Sequence, residues 1–250
     1  MALKLLTTAK EEALELLFPM KCAVCEKETG GKRKNKLICT DCLKELSPSL
    51  KFYCPLCEAR TADGKLCFSC NLIINNTKIN FYLDRLLYPF AYQDFKIQKI
   101  IKAFKYRFIK DMEIPLGRLM ANYLEKVKKQ IDLNGSILIP VPLHKRKLNQ
   151  RGYNQSELIA RQISKSLNFE RINDCLIKNK TTKDQAGLEN KERIKNIKGA
   201  FVCRKPELVS GKNILLVDDV YTTGATMAEC AKILKEAGAK EVIGLAIARG

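Results

Sequence analysis

The sequence predicts an α/β protein in which a parallel sheet carries helices on both faces and follows a small cysteine-rich module. Three observations predict this architecture. Four C-x-x-C pairs lie between residues 22 and 70, and strand and helix patterns alternate from about residue 136 onward. An apolar strand over 213–217 also runs through two acids into a Thr/Gly loop that opens a helix. We therefore expect two domains, over 1–78 and 79–250.

Composition and charge are those of a globular chain with a strong basic excess. The 250 residues include 46% apolar and 29% charged side chains, which excludes disorder as the dominant state. No apolar run approaches the roughly 18 residues of a membrane span, so no membrane insertion is expected. The 45 Lys and Arg exceed the 27 Asp and Glu by 18, which favours partners that carry phosphate groups. Because no export signal is recognisable, we expect a cytoplasmic protein.

The eight clustered cysteines predict two zinc sites. The spacing of each pair lets two thiolates on one tight turn face the same ion, and two such turns complete a tetrahedral shell of four sulfurs. Since sulfur would fill every coordination position, both ions are expected to be structural. The pairs are Cys22/Cys25, Cys39/Cys42, Cys54/Cys57 and Cys67/Cys70.

Two alternatives to consecutive zinc sites stay open from the sequence. A disulfide framework suits secreted chains, and the lack of an export signal disfavours it. An interleaved arrangement would let alternate pairs share an ion. Turn-forming and strand-forming residues inside the intervals, at 29–31, 36–38 and 61–66, favour hairpins and hence consecutive pairing.

Two amphipathic helices are predicted before the alternating elements. Leucines and alanines at helical spacing predict one over 2–18, which ends at Pro19. Apolar residues at i, i+3, i+4, i+7 and i+11 predict another over 95–110, with no acid and with basic residues on its other faces. Phe104 and Phe108 fit its apolar stripe and are expected in the core. The candidates for binding single-stranded DNA, through cations and base stacking, are Lys96, Lys99, Lys102, Lys105, Tyr106 and Arg107.

The remaining elements alternate along the chain. The β-α-β unit spanning 214–248 is the clearest of them, and we expect all the strands to share one parallel sheet. Helices are predicted over about 116–131, 155–167 and 226–237, and strands over 136–142, 200–203, 213–217 and 241–248.

A candidate phosphate site lies where the strand over 213–217 ends. A loop that enters a helix N-terminus presents free backbone N–H groups and the positive end of the helix dipole. Threonine hydroxyls add donors, and Gly224 lets the backbone approach closely. The two preceding carboxylates cannot favour the same phosphate and are better placed for sugar hydroxyls or a magnesium-bound neighbour. The acids are Asp218 and Asp219, and the threonines are Thr222, Thr223 and Thr226.

This stretch resembles the type I phosphoribosyltransferases, whose signature is two acids on a strand followed by a T-G-x-T loop that binds phosphoribosyl pyrophosphate (PRPP). Further ordered motifs make nearly the whole chain similar to the ComF/GntX competence family, in which a zinc-ribbon region precedes such a domain. The motifs are LLFP at 16–19, PVPL at 140–143, RGYNQ at 151–155, T-x-x-QAGL at 182–188, ER-x-x-N at 192–196, GAF at 199–201 and AR at 248–249.

The resemblance implies a type I phosphoribosyltransferase-like sheet and a role for each matching residue. Asp218 and Asp219 would bind the ribose hydroxyls as the catalytic pair. The 5′-phosphate would be held by Thr222, Thr223, Gly224, Ala225 and Thr226. The pyrophosphate would be held by Val141, Pro142, Leu143 and His144, with Lys145, Arg146 and Arg151 as further anion contacts. Thr182 and Gln185 would belong to a loop that covers the site and excludes water.

The resemblance also implies cofactors and partners. Magnesium would accompany PRPP, and two zinc ions would be structural. Single-stranded DNA and competence proteins such as a DNA-translocating helicase would be the macromolecular partners, in natural transformation.

Three functions are compatible with these residues. The first is an enzyme that displaces pyrophosphate from PRPP with the help of magnesium. Thr222 stands at a position where purine-using members of the family carry an aspartate. Because threonine cannot act as an acid or base near neutral pH, a purine acceptor is disfavoured. The second is a sensor of PRPP or a nucleotide whose basic surfaces hold single-stranded DNA. The third is a zinc-ribbon module that docks a protein partner.

Overall fold

The computed structural model describes residues 20–29, 37–77, 80–106, 110–180 and 196–250. Several sequence predictions fall outside these ranges. They are the helix over 2–18, the glycine turn at 30–31, Arg107, Phe108, the covering loop with Thr182 and Gln185, and the side chain of Tyr106.

The cysteine-rich region forms two small ribbons that share one plan. In the first, a turn at 22–25 is followed by helix α1 (Thr40–Lys44), which Cys39 caps through its sulfur. In the second, β1 (Phe52–Tyr53) pairs antiparallel with β2 (Arg60–Thr61) around the turn at 54–57, and α2 (Phe68–Thr77) begins directly after Cys67. Each ribbon thus carries one cysteine pair on a turn and the other at the start of a helix.

The second ribbon forms its hairpin in a different place from the one that the sequence favours. The paired strands are β1 and β2, and residues 62–65 form a bend that pairs with neither. Gly64 N donates to Thr61 Oγ1 at 3.1 Å, and the Gly64 carbonyl accepts a hydrogen bond from Leu86 N at 3.0 Å. Gly64 has a φ of +80°, and a Cβ there would lie 2.9 Å from Leu86 O. Arg85 adds ion pairs of 2.7 Å to both Asp63 and Glu241. This segment therefore fastens the ribbon to the sheet.

The central sheet has five strands, all in parallel pairings: β3 (Arg85–Leu87), β4 (Phe90–Ala91), β5 (Ile137–Pro140), β8 (Asn213–Tyr221) and β9 (Glu241–Arg249). Its order is β3-β9-β8-β5, and β4 extends the pairing of β3 along β9. The predicted parallel α/β sheet is confirmed.

Helices cover both faces of this sheet. The helices are α3 (Phe95–Tyr106), α4 (Glu113–Val127), α5 (Lys145–Arg151), α6 (Gln155–Leu167) and α7 (Ala225–Glu236). Leu215 and Val217 point into a core with α3, α4 and α6, whereas Ile214 and Leu216 point into a core with α7. The bounds predicted for α6 match the structure, and Phe104 is buried as predicted. Among the described residues, no helix is long and apolar enough to cross a membrane.

One predicted strand lies outside the parallel sheet. Strand β7 (Phe201–Cys203) pairs antiparallel with β6 (Leu176–Lys178) in a separate two-stranded ribbon. The burial pattern explains the difference, because Phe201 is buried while Val202 is exposed. Such alternation is typical of a half-covered antiparallel ribbon, whereas β9 is buried almost throughout, as parallel strands between helices are.

The topology places two loops at one edge of the sheet. Strands β5 and β8 are hydrogen-bonded neighbours, with Pro140 opposite Val217. Since they run in the same direction, the chain leaves both at the carboxyl edge. Ligands of open α/β sheets bind outside this edge. The loop after β5 and the loop after β8 therefore meet there.

Candidate functional site

A cavity of about 490 Å³ opens at the carboxyl edge of the sheet. The proline loop (141–144) and the threonine loop (222–226) line it, together with Asp218 and Asp219. The structure thus brings together the acid pair and the two loops that the sequence analysis treats as separate candidate contacts. A volume of this size is in the usual range for a small-molecule site.

The acid pair lies at the end of β8 among hydrogen-bond donors. The Asp218 carboxylate Oδ1 accepts from Ser156 Oγ at 2.9 Å and from the Asp219 backbone N–H at 2.9 Å. Asp219 Oδ1 lies 2.7 Å from Lys105 Nζ. Removal of water, reinforced by the neighbouring Asp219 carboxylate, raises the pKa of Asp218 to about 7. Asp218 is therefore protonated at a higher pH than an ordinary aspartate.

Lys105 reaches this pair from α3. Its side chain is 20% exposed and that of Asp219 is 11% exposed, so the ion pair is largely withdrawn from solvent. Burial alone would lower the pKa of Lys105, but the Asp219 carboxylate raises it above the ordinary value. Binding of Lys105 to nucleic acid, which the basic pattern of α3 predicts, stays a prediction. The structure gives it a partner inside the cavity.

The threonine loop folds tightly into the start of α7. Gly224 is the N-cap residue, with a φ of +74° that only glycine adopts without strain. A Cβ at this position would lie 2.2 Å from the hydroxyl of Tyr221. Thr223 Oγ1 accepts a weak hydrogen bond from Ala225 N at 3.5 Å. The first residues of α7, Ala225, Thr226 and Met227, line the cavity, and the first turn of a helix offers N–H groups to an anion.

The RGYNQ segment supports the proline loop. Asn154 Nδ2 donates to Val141 O at 3.0 Å, and Asn154 Oδ1 caps α6 by accepting from Ser156 N. Gln155, which is 1% exposed and lines the cavity, accepts from Arg151 Nη1 through its Oε1 at 3.2 Å. Its Nε2 finds no partner among the described residues. A buried amide donor beside an arginine suits an anionic ligand oxygen.

The other predicted contacts are distributed around this centre. Arg151 lines the cavity, and His144 both lines it and caps α5 by accepting from Arg146 N. Lys145 and Arg146 are exposed on α5 beside the cavity. The cavity is also lined by residues for which the sequence predicts no role: Tyr92, Lys147, Gln155, Ser156, Lys178 and Tyr221. Two of them had a sequence signal: Gln155 is the last residue of the RGYNQ motif, and Gln155 and Ser156 begin a predicted helix.

The basic face of α3 is divided between different surroundings. Lys96 Nζ pairs with Glu45, and Lys99 Nζ donates to Val24 O at 2.8 Å, so both turn toward the first ribbon. Lys102 is exposed to solvent. Lys105 lies in the cavity, as described above. Of these lysines, Lys102 is the one that the structure leaves most accessible to a DNA strand.

The eight ribbon cysteines form two clusters by consecutive pairing. Cys22, Cys25, Cys39 and Cys42 form one and Cys54, Cys57, Cys67 and Cys70 the other, and within each the sulfur atoms lie within 4.8 Å of one another. Such sets match the tetrahedral sulfur site of structural zinc, so the consecutive arrangement is the one that the fold adopts.

The first cysteine of each cluster has the same surroundings. Burial works against ionisation of Cys22 and Cys54, but backbone N–H groups that donate to each sulfur bring both pKa values down to about 7. Val24 N and Cys39 N, for example, lie 3.4 and 3.3 Å from the sulfur of Cys22. A thiolate that is available near neutral pH is the form that binds a metal.

We expect the purified chain to hold two zinc ions, because two complete sulfur shells are present. Cys70→Ser should reduce the content to about one ion per chain, since it removes one ligand from a four-sulfur set. Metal analysis by mass spectrometry measures this. Cys203→Ser, outside both clusters, is the control and should keep two ions. Absence of zinc from the wild-type protein would contradict the assignment.

We expect Asp218→Asn to stabilise the protein at neutral pH. Because the folded-state pKa of Asp218 is raised, the stability that its protonated form contributes is fully present below about pH 4 and is lost as the pH rises through about 7. The variant lacks this loss, so its advantage should grow over that window to on the order of 1–3 kcal/mol. Denaturant titration at several pH values measures it. The exposed Asp132→Asn is the control, and equal pH profiles for Asp218→Asn and wild type would contradict the pKa shift.

Comparison with known proteins supports one family. The description "Double zinc ribbon domain" matches residues 13–71, and "Phosphoribosyl transferase domain" matches residues 154–249. Competence protein F of Haemophilus influenzae is 34% identical over 60% of this chain and 66% of its own length. DNA utilization protein YhgH of Escherichia coli K12 is 36% identical over 42% of this chain and 45% of its own. Competence protein ComFC of Bacillus subtilis is 26% identical over 82% of this chain and 81% of its own length.

The matches extend over different parts of the relatives. The chain spans just under two thirds of the Haemophilus protein and less than half of YhgH. The match to ComFC covers most of both chains. With a double zinc ribbon followed by a phosphoribosyltransferase domain, the chain belongs to the ComF family.

Proposed function

We propose that the cavity binds PRPP and that the protein acts in the handling of incoming single-stranded DNA during natural transformation. One observation carries the ligand assignment. The acid pair and the threonine loop, whose chemistry suits different parts of a sugar phosphate, meet in one cavity with the proline loop. The competence names of relatives support the biological setting. The zinc-type thiol clusters agree with a reducing compartment, and we propose the cytoplasm.

Each part of PRPP has a partner of suitable chemistry. The threonine loop and the N-terminus of α7 would hold the 5′-phosphate through N–H and hydroxyl donors. The carboxylates of Asp218 and Asp219 would accept from the ribose hydroxyls. The proline loop, together with Arg151 and Gln155, would face the pyrophosphate. The ligand would thus lie across the edge of the sheet from β8 to β5.

Magnesium is compatible with this donor set. Asp218 and Asp219 each use one carboxylate oxygen in a described contact and keep the other for a ligand. Magnesium in proteins is commonly held by one or two carboxylates and completed by phosphate oxygens and water. When bound, it would neutralise part of the pyrophosphate charge.

The acid pair also favours a second candidate function, transfer of the phosphoribosyl group to an acceptor. Two carboxylates beside the ribose would stabilise positive charge that develops on the sugar as pyrophosphate departs. Thr222 carries no proton-transferring group near neutral pH, so an acceptor would need to be a nucleophile without its help. Incubation with PRPP, magnesium and a panel of bases separates the two functions. Release of pyrophosphate supports transfer, and binding without release leaves a sensor.

Single-stranded DNA binding rests on charge. The excess of 18 positive charges would provide phosphate contacts, and Lys102 on α3 and Lys145 and Arg146 on α5 are exposed. Both helices also reach the cavity, α3 through Lys105 and α5 through Lys147. A strand held there would lie near the PRPP site. A DNA-translocating helicase of the competence machinery is the protein partner that we propose.

We expect PRPP binding to depend on the acids and the threonine loop. The double replacement Asp218→Asn with Asp219→Asn, and separately Thr223→Val, should each weaken binding roughly tenfold to a hundredfold, because each removes a hydrogen bond to a charged or polar ligand group. Calorimetry with PRPP and magnesium measures the affinity, and Asp132→Asn is the control. If the double variant bound PRPP as tightly as wild type, the ligand would have to lie elsewhere.

We expect binding to single-stranded DNA to weaken steeply with salt, because bound lysines release counterions from the phosphates. Lys102→Glu should lower the affinity and reduce the slope of log K against log salt by about 1. Lys240→Glu, at the opposite edge of the sheet, makes the same charge change and should have less effect. Fluorescence titration at several salt concentrations tests this. An affinity that does not change with salt would refute the electrostatic basis.

A further inference from the structure

The second ribbon makes direct hydrogen bonds to the two strand ends at the cavity. Tyr221 ends β8 and lies opposite Arg249, which ends β9. The Tyr221 hydroxyl donates to Pro55 O at 3.1 Å. Arg249 donates to Cys54 O from Nη1 at 2.9 Å and to Pro55 O from Nη2 at 3.2 Å. Both acceptors belong to the turn that carries Cys54 and Cys57, two sulfurs of the second cluster.

The Tyr221 side chain also lies directly under the threonine loop. The residue precedes Thr222 and is only 4% exposed. The close approach noted above, in which a Cβ at Gly224 would reach 2.2 Å from the Tyr221 hydroxyl and 2.4 Å from Cζ, shows that the loop folds against this ring. The hydroxyl end of one aromatic ring thus lies against the threonine loop and is hydrogen-bonded to the turn at 54–57.

Arg249 fixes this ring from a second direction. Its guanidinium lies 5.3 Å from the centre of the Tyr221 ring and pairs with Glu58 at 3.2 Å. The arginine side chain is 6% exposed, so its contact with the ring lies away from bulk water, where electrostatic interactions are stronger. Glu58 is 64% exposed, so its ion pair is weakened by solvent and adds little. The ring therefore has little freedom to move unless the turn at 54–57 moves as well.

We infer that Tyr221 is a positioning residue which makes PRPP affinity depend on the metal-bound state of the second ribbon. A ribbon of this size folds with its metal, and the metal fixes the turn at 54–57. The turn fixes the ring of Tyr221, and the ring fixes the threonine loop in the shape that receives a phosphate. This inference rests on the proposed PRPP site and adds regulation to it.

The first ribbon provides an internal comparison. Its described contacts with α3, from Lys99 to Val24 O and from Lys96 to Glu45, lie at the N-terminal part of that helix. Its apolar residues pack with α3 and α4 in the core on the face opposite α7. The two ribbons share their metal chemistry and differ in what they touch. Loss of metal from the first ribbon should therefore leave the threonine loop in place.

The first experiment removes a single hydroxyl. Tyr221→Phe should weaken PRPP binding three- to tenfold by calorimetry, with two zinc ions retained. Ser164→Ala is the control, because it also removes a hydroxyl that donates to a backbone carbonyl, Phe169 O, at 2.8 Å, and Ser164 is not among the residues that line the cavity. Both variants should melt at slightly lower temperatures, and only Tyr221→Phe should lose affinity. If Tyr221→Phe melted earlier but bound PRPP as wild type does, the positioning role would be overturned.

The second experiment removes one zinc at a time. Cys57→Ser and Cys25→Ser change equivalent, exposed ligands in the second and the first ribbon, and each should leave one zinc ion. Cys57→Ser should weaken PRPP binding at least tenfold, and Cys25→Ser should stay within about twofold of wild type. Equal affinity for Cys57→Ser and wild type would overturn the inference.

Hydrogen exchange separates this inference from the ligand assignment. In the absence of any ligand, backbone amides of residues 220–228 should exchange faster in Tyr221→Phe and Cys57→Ser than in wild type and Cys25→Ser. If the wild-type protein failed to bind PRPP, the proposed function would fall, while faster exchange would still support the coupling of ribbon and loop. Unchanged exchange in both variants would overturn the coupling whatever the ligand.

Discussion

Parallel pairing of β8 with a neighbour on each side is the constraint on which the rest of the structure depends. Residues 214–217 are buried and alternate between the two cores, so a shift of one residue would exchange the two faces. Register with β5 and β9 is therefore fixed by apolar packing. Because all three strands run the same way, their ends share an edge, and the two loops and Arg249 arrive there together.

The same edge concentrates charge, and the described contacts show how the fold accommodates it. Two adjacent carboxylates at the end of a buried strand repel each other, which is destabilising unless donors or cations compensate. Ser156 and the Asp219 N–H compensate Asp218, and Lys105 compensates Asp219. The compensation is incomplete, as the raised pKa of Asp218 shows. Destabilisation of this kind is common where a site is arranged for a ligand rather than for stability.

The sequence was sufficient for features that depend on neighbouring residues. Helix α6 has its cap, Asn154, and its apolar period within one short stretch, so both of its ends were predicted correctly. Consecutive pairing of the cysteines was also favoured before the structure confirmed it. Strands β3 and β4, with three and two residues, are too short to show a period and were missed.

Contacts that depend on distant parts of the chain could not be predicted in this way. Lys105 and Asp219 are far apart in the sequence, and nothing in the basic pattern of α3 distinguishes Lys105 from Lys102. Tyr221 shows the same limit, because its role depends on a carbonyl at Pro55 that only the folded ribbon brings near. Helical period shows which residues face the core but not what each polar residue meets. A helix that is uniformly basic in the sequence therefore has, in the fold, one lysine in the cavity and others on the first ribbon. The two ribbons, which have the same cysteine spacing, differ for the same reason. The first packs against the helices of one face of the sheet, and the second is hydrogen-bonded to the strand ends beside the cavity.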